Sequence, residues 1–212
     1  MDSMEPPAPA THVAQQGSAV SKLIHQFRNQ LQTVTSLVSL AAQRAPGEES
    51  RAALEDLRAR IEALTILPPE ETAPGGMLAA DRVLTLLAHR ICQLYDPDRS
   101  GRIDVRFCPL QLPPRETGVV AQILAELLVQ IFRSGAARAE IILAEDEGVL
   151  KLRALTTRNT LAPATPASGG LGELLLEGLA RSLGGTVRRG NGDGLMWETS
   201  IPGQAIGVDF NR

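Results

Sequence analysis

The chain has 212 residues, a net charge of −3 and a hydrophobic share of 43%, which is enough for a helical hairpin and one compact domain. The negative charge and the shortage of aromatic side chains argue against nucleic-acid binding. No apolar run reaches the roughly 20 residues that cross a bilayer. Cys92 and Cys108 lack metal-site spacing and fit a reducing compartment. We therefore expect a cytoplasmic protein that binds neither nucleic acid nor membrane, with no metal of its own.

Residues 1–17 are rich in Pro, Ala and Gln and are interpreted as a flexible leader. In the segment that follows, the apolar residues are spaced alternately four and three apart, which predicts a helix packed against other helices. They are Val20, Ile24, Phe27, Leu31, Val34 and Val38. At about 100° per residue, His25 points roughly 140° away from this stripe, close to Asn29 and Gln32. An outward imidazole beside hydrogen-bonding side chains is suited to accepting a phosphoryl group, whereas an ordinary surface or core histidine is the alternative.

A second helix is predicted after the break at Ala45-Pro46-Gly47, and the two helices form a hairpin over residues 18–69. Its apolar positions are Leu54, Leu57, Ile61 and Leu64. In the first helix, Leu23, Leu37 and Leu40 widen the stripe beyond what one hairpin can cover. The pattern therefore predicts a homodimer whose two hairpins form a four-helix bundle. The alternative is a hairpin that packs on the rest of its own chain.

Residues 77–202 predict an α/β sandwich, so that the whole chain is assigned to the α+β class, with a tail at 203–212. The predicted elements are a helix at 81–94, a strand at 102–107 and a long helix from Val119 to Gly135. They continue with strands at 139–143 and 149–155, a helix at 171–183, and strands around Val187 and 197–201.

The hairpin resembles a known family. Residues 25–32 (HQFRNQLQ), followed by Val34 and Ser36-Leu37, resemble the phosphoacceptor motif H-R-x-K-N-x-L-Q-x-x-x-S-L of HWE/HisKA_2-type sensor histidine kinases. Residues 60–64 (RIEAL) resemble the R-I-x-A-L of the second dimerisation helix, and the element order of residues 77–202 resembles the kinase ATP-binding domain. The resemblance implies that His25 is the phosphoacceptor.

The ATP-binding motifs are only partly present. Glu126 and Gln130 stand in the magnesium motif N-E-L-x-x-N-A-x-K-H, with Gln130 in place of the second asparagine, and Gly170 and Gly172 match a glycine-rich helix entrance. Residues 156–160 (TTRNT) stand where the family has D-x-G-x-G, and the Pro/Ala stretch 161–168 replaces the ATP lid. We interpret these four positions as a vestigial site and expect this chain to bind no nucleotide cofactor.

An acceptor motif without an ATP site leads to the hypothesis of a phosphorelay histidine phosphotransferase. His25 would shuttle a phosphoryl group between receiver-domain aspartates, supported by Arg28, Asn29 and Gln32, with Mg²⁺ supplied by the partner receiver. The expected partners are response regulator receiver domains and an upstream hybrid kinase or receiver, all met in trans. Two alternatives stay open: an active sensor-type histidine kinase with an atypical ATP site, and a non-catalytic dimeric adaptor that docks response regulators.

Overall fold

The structure is a computed structural model that describes residues 29–66, 76–96, 103–157, 171–190 and 194–206. Its first elements are two helices: α1, described over residues 29–44, and α2, Glu48–Thr65. Only residues 45–47 connect them, and so short a connection makes two helices antiparallel neighbours. Glu48 and Glu49 lie in the first turn of α2, where their charges complement the helix dipole.

A mixed α and β unit follows the hairpin. Its elements are β1 (Leu78–Ala79), α3 (Ala80–Tyr95), β2 (Ile103–Phe107), β3 (Gln111–Leu112), α4 (Pro114–Arg133), β4 (Arg138–Asp146), β5 (Val149–Thr157), α5 (Leu171–Ser182), β6 (Thr186–Arg189), β7 (Leu195–Pro202) and a short 3₁₀ helix, Gly203–Ile206. The larger sheet has the order β2-β4-β5-β7-β6, in which β2 and β4 are parallel and all other neighbours are antiparallel. The predicted α+β class is therefore confirmed.

The sheet forms where side chains alternate between a buried and a solvated face. In β4, Ala139, Ile141 and Leu143 are buried, while the residues between them are partly exposed. The turn from β4 to β5 places Glu147 and Gly148 at φ values of 54° and 78°, the left-handed backbone of a tight hairpin. Its sequence is acidic, with Glu145, Asp146 and Glu147 directly before Gly148.

Helix α4 is the centre of the core. Twelve of its residues are buried, from Thr117 to Ile131, because the helix packs on α2, α3, α5 and the sheet at once. Pro114 opens the helix, where its missing N–H costs nothing, and Gly135 closes it with a φ of 63°. A helix so nearly surrounded fixes the position of every side chain that it carries.

Two features of the fold differ from the main expectation. Strands β1 and β3 pair antiparallel as a separate two-stranded sheet, and α2 packs against α3 and α4. The second feature corresponds to the alternative in which the hairpin packs on its own chain. Among the helices in the described ranges, none has the length and apolar character that a membrane span needs.

Candidate functional site

Two of the four predicted phosphotransfer residues lie on the described part of α1. Asn29 and Gln32 are both exposed, and their separation of three positions places them on neighbouring turns of one side of the helix. His25 and Arg28 lie outside the described residues. The side chains of Asn29 and Gln32 are therefore accessible to a partner, and the roles assigned to all four residues stay predictions.

The hydroxyl groups next to these amides are bonded within α1. Thr33 donates to the carbonyl oxygen of Asn29, and Ser36 donates to that of Gln32, each at 3.0 Å. Because such bonds satisfy the hydroxyls on the preceding helical turn, they do not compete for the side-chain amides. Among the described residues, none forms a hydrogen bond with the side-chain amide of Asn29 or Gln32.

The predicted ATP-site positions that the structure describes meet between α2, α4 and α5. Glu126 on α4 is only 2% exposed. Arg60 on α2 donates to it twice, from Nε to Oε2 at 2.7 Å and from Nη2 to Oε1 at 3.1 Å. Gln130, one turn further along α4, donates from Nε2 to Oε1 at 2.9 Å. Both carboxylate oxygens are therefore satisfied from within the chain.

Gly172, in the first turn of α5, closes this cluster from a third side. A Cβ at this position would collide with Nε2 of Gln130 and Oε1 of Glu126. The α5 backbone therefore approaches the two polar groups at a distance that only glycine allows. This contact gives Gly172 a packing role that requires no phosphate; Gly170 lies outside the described residues.

The arrangement at Glu126 does not fit a magnesium ion that carries a nucleotide. Magnesium needs oxygen ligands in near-octahedral geometry and usually keeps several waters. Here the carboxylate is buried, accepts three N–H groups and already faces a guanidinium charge. Gln130 presents an N–H group to this carboxylate. These two positions of the magnesium motif instead form part of the contact between the hairpin and the second domain.

The surroundings of Arg60 favour its charged form. Burial lowers the pKa of the guanidinium, but the hydrogen bond and charge of Glu126, with the charge of Asp56, raise it above its ordinary value overall. Arg60 stays charged and donates two parallel hydrogen bonds, the strongest geometry for an arginine and a carboxylate. The pair is therefore a charge-assisted bridge and not an incidental contact.

A second buried carboxylate lies one turn before Arg60 on α2. Asp56 is 1% exposed and accepts a hydrogen bond of 2.6 Å from the phenol of Tyr95. Arg133, at the end of α4, forms an ion pair with its other oxygen. Tyr95 also stacks on Phe132, with the ring centroids 4.5 Å apart. Burial, followed by the bond to Asp56, raises the pKa of Tyr95 far above its ordinary value. Asp56 thus links α2 to the ends of α3 and α4.

We define the docking face of α2 as Asp56, Ala59, Arg60 and Ala63, together with Ile66 directly after the helix. Its three apolar members are 0–7% exposed and belong to the main core. Spacings of three and four place these residues on one helical face. Charged and small residues carry little apolar signal, and the leucines of α2 give a stronger one on another face. The usable signal was the pair of opposite charges at positions 56 and 60, interleaved with alanine.

A different side of the hairpin is apolar and exposed. We call this set the hairpin leucine stripe: Leu37, Leu40, Leu57 and Leu64, which are 61%, 43%, 43% and 47% exposed. Val34 is also 42% exposed. Several large apolar side chains in solvent on one hairpin form a patch of the kind that marks an interface. The docking face therefore packs against the second domain of the same chain, whereas the hairpin leucine stripe is open to a partner.

Comparisons with known proteins agree with this architecture. Residues 23–95 match the model of the HisKA_2 histidine kinase family. The histidine kinase domain of the Erythrobacter litoralis blue-light activated histidine kinase superposes with a TM-score of 0.57 at 18% identity, over 86% of this chain and 99% of that chain. A second structure of that kinase gives a TM-score of 0.58 at 19% identity, over 71% of this chain and 55% of that chain. No curated protein matches the sequence significantly.

At these identities the structural similarity concerns the fold, while the family model concerns the hairpin and α3. The family match and the fold similarity overlap along the chain. Residues 23–95 therefore resemble the HisKA_2 histidine kinase family, and the fold of the chain is similar to that of a histidine kinase domain.

Proposed function

We propose that this protein is a phosphorelay histidine phosphotransferase, which carries a phosphoryl group on His25 between the aspartates of two receiver domains. The observation that carries the proposal is the bridge from Arg60 to Glu126. A carboxylate at a position that the family resemblance links to magnesium and ATP is engaged by an arginine of the hairpin. The family match over residues 23–95 includes His25. A core with an acceptor region and an engaged ATP-site carboxylate is suited to transfer without autophosphorylation.

In the proposed reaction, a neutral ring nitrogen of His25 attacks the phosphorus of an aspartyl phosphate in line. A P–N bond forms while the acyl P–O bond breaks, and the donor aspartate leaves as a carboxylate. In the second half-reaction, the carboxylate of the next receiver attacks the same phosphorus. A P–O bond forms, the P–N bond breaks, and the imidazole is regenerated, so no nucleotide is consumed.

This chain would mainly position the imidazole and the phosphoryl group, and the receiver domain would supply Mg²⁺. Asn29 follows His25 by four positions and has an exposed amide, which is suited to orienting an imidazole through a hydrogen bond. Gln32 offers a second amide one turn later. Arg28 is assigned a contact with the phosphoryl group or with an acidic edge of the receiver.

We further propose that the working form is a homodimer and that its partners are response regulator receiver domains. The histidine kinase family implies both. The hairpin leucine stripe supports the dimer, because a second hairpin would bury side chains that one protomer leaves in solvent. Two such hairpins related by a two-fold axis make a four-helix bundle.

Phosphotransfer from a labelled receiver, without ATP, tests the proposal. The native protein should take up label from a phosphorylated receiver and pass it to a second one, whereas His25→Ala should take up none. Equal labelling of the two proteins would remove His25 from the mechanism. Receiver binding without any labelling of the native protein would instead favour the non-catalytic adaptor.

Incubation with labelled ATP and Mg²⁺ separates the remaining alternative. If the protein is a phosphotransferase, neither the native protein nor His25→Ala should be labelled under these conditions. Label that appears on the native protein and is lost in His25→Ala would identify a sensor-type kinase with an atypical ATP site.

A further inference from the structure

The contact between Arg60 and Glu126 joins two parts of the chain that are 66 positions apart. Glu126 is 2% exposed and Arg60 is 25% exposed, so the carboxylate depends on this guanidinium for charge compensation. Gln130 adds one neutral donor only. Removing one partner of such a pair leaves a buried charge alone, which is strongly unfavourable. Helix α2 therefore cannot move away from α4 unless Glu126 becomes hydrated or loses its partner.

The rest of the docking face fixes α2 around this pair. Its apolar members lie in the same core as α3, α4 and the sheet, and close-packed interiors resist sliding. One turn before Arg60, Asp56 binds both Tyr95 and Arg133. Charged contacts thus lie at two successive turns of α2, with apolar contacts between and beyond them.

We propose that Arg60 is a tethered cation that locks α2 onto the second domain, so that α2 and the domain move as one unit and Glu126 is closed to a metal–nucleotide complex. The proposal goes beyond phosphotransfer and does not depend on His25. It assigns the second domain to a fixed position on the hairpin, in place of a mobile nucleotide-binding module.

Hydrogen exchange on the full-length protein tests the lock with three variants. Arg60→Ala removes the bridge, and Arg60→Lys keeps the charge but loses the two-pronged geometry. The matched control is Arg90→Ala, because Arg90 on α3 also bridges to α2, through a 2.9 Å pair with Glu62. That pair is more open to solvent, with exposed fractions of 47% and 25%.

In the native protein, amides of residues 56–66 should exchange about as slowly as those of α4. In Arg60→Ala their exchange should rise about 10-fold or more, with β4 and β5 unchanged. The melting temperature should fall by about 5–10 °C. This decrease is smaller than that for a fully buried ion pair, because the Arg60 side chain is partly exposed. Arg90→Ala should leave the exchange of α2 unchanged and move the melting temperature by no more than about 2 °C.

The double variant Arg60→Ala/Glu126→Gln should regain part of the lost melting temperature, because it removes the stranded charge. Equal effects of Arg60→Ala and Arg90→Ala, or unchanged α2 exchange in Arg60→Ala, would overturn the lock. If Arg60→Ala does not fold, Arg60→Lys is compared with the native protein instead. Hydrogen exchange in α2 should then rise by a smaller factor, and unchanged exchange would again contradict the proposal.

Closure of Glu126 is tested separately by calorimetric titration of the native protein with Mg²⁺ and a non-hydrolysable ATP analogue. No saturable heat is expected. Saturable, magnesium-dependent binding would overturn the closure. These measurements do not involve His25, so loss of receiver-dependent labelling would leave the lock intact, and a failed lock would leave the His25 assay to be judged on its own.

Discussion

Tyr95 donates a hydrogen bond of 2.6 Å to Oδ1 of Asp56, and so joins the end of α3 to a carboxylate of α2 that is 1% exposed. Hydrogen bonds to a charged acceptor are stronger than neutral ones, and a buried carboxylate that loses a donor is costly. Tyr95 is also the only tyrosine of the chain. The joint between the hairpin and the second domain therefore contains a chromophore that reports on it alone.

Tyr95→Phe should lower the free energy of unfolding by about 1–3 kcal/mol, because Asp56 loses a donor while the ring that stacks on Phe132 stays. Urea denaturation measures the difference. Ser182→Ala is the control, because its exposed hydroxyl bonds only to the backbone of its own helix. This control should change stability by less than about 0.5 kcal/mol. Equal stability of Tyr95→Phe and the native protein would contradict the assigned role.

The same bond predicts a loss of stability in strongly alkaline solution. Burial first, and then the bond to Asp56, raises the pKa of Tyr95 far above the ordinary 10.0. Because the unfolded chain releases this proton near 10 and the folded chain does not, the stabilisation is complete below about pH 10 and is lost as the pH rises further. Phenolate absorbance should appear together with unfolding, and Tyr95→Phe should lack this component of the pH dependence. If the phenol of Tyr95 lost its proton near pH 10 while the protein stayed folded, its burial would be contradicted.

Local patterns were sufficient to predict most elements of the second domain. The alternation Ala139, Ile141, Leu143 predicts a half-buried strand, and the acidic turn ending in Gly148 predicts the hairpin to β5. The apolar run of α4 predicts a buried helix. Strands β1 and β3 have two residues each, too few for a period to appear, so their pairing was not predictable.

The residues by which α2 docks were not identified from the sequence, for a different physical reason. Ala59 and Ala63 are buried because of what packs on them, and alanine carries little hydrophobic signal of its own. The ion pair of Arg60 depends on Glu126, whose distance in the sequence gives no local cue. Glu126 was identified through the family resemblance, but its engagement by the hairpin is a tertiary contact. A sequence motif can identify a residue such as Glu126, but the partner that this residue binds depends on how the helices pack.

Gly172→Ala should destabilise the protein by about 1–3 kcal/mol, because its Cβ would meet Glu126 and Gln130. Gln130 can swing away, but Glu126 is held by Arg60. Gly178→Ala is a control in the same helix, since nothing lies within 4 Å of its Cβ position; it should stabilise by about 0.5–1 kcal/mol. Chemical denaturation compares the two variants. A stabilising Gly172→Ala would show that α5 does not press on the cluster.

Leu37→Glu should dissociate the proposed homodimer. A charge placed in a buried interface should weaken association by about 100-fold or more, and sedimentation velocity should report a mass falling from about twice 22.6 kDa to the mass of one chain. Leu174→Glu on α5 is the matched control, because Leu174 is 62% exposed and Leu37 is 61% exposed. The control should leave the mass unchanged. Dissociation by both variants, or by neither, would count against an interface at the hairpin leucine stripe.

Asn29→Ala should slow phosphotransfer from a phosphorylated receiver by about 10-fold, if the amide orients the imidazole of His25 as proposed. The loss cannot come from a weaker helix, because alanine has the higher helix propensity and the bond from Thr33 to the carbonyl of residue 29 does not involve the side chain. Gln30→Ala is the control, since Gln30 is also exposed but points about 100° away around α1. Its initial rate should stay within about 2-fold of native. Native rates in Asn29→Ala, with His25→Ala inactive, would leave the histidine as the acceptor and reduce Asn29 to an ordinary surface residue.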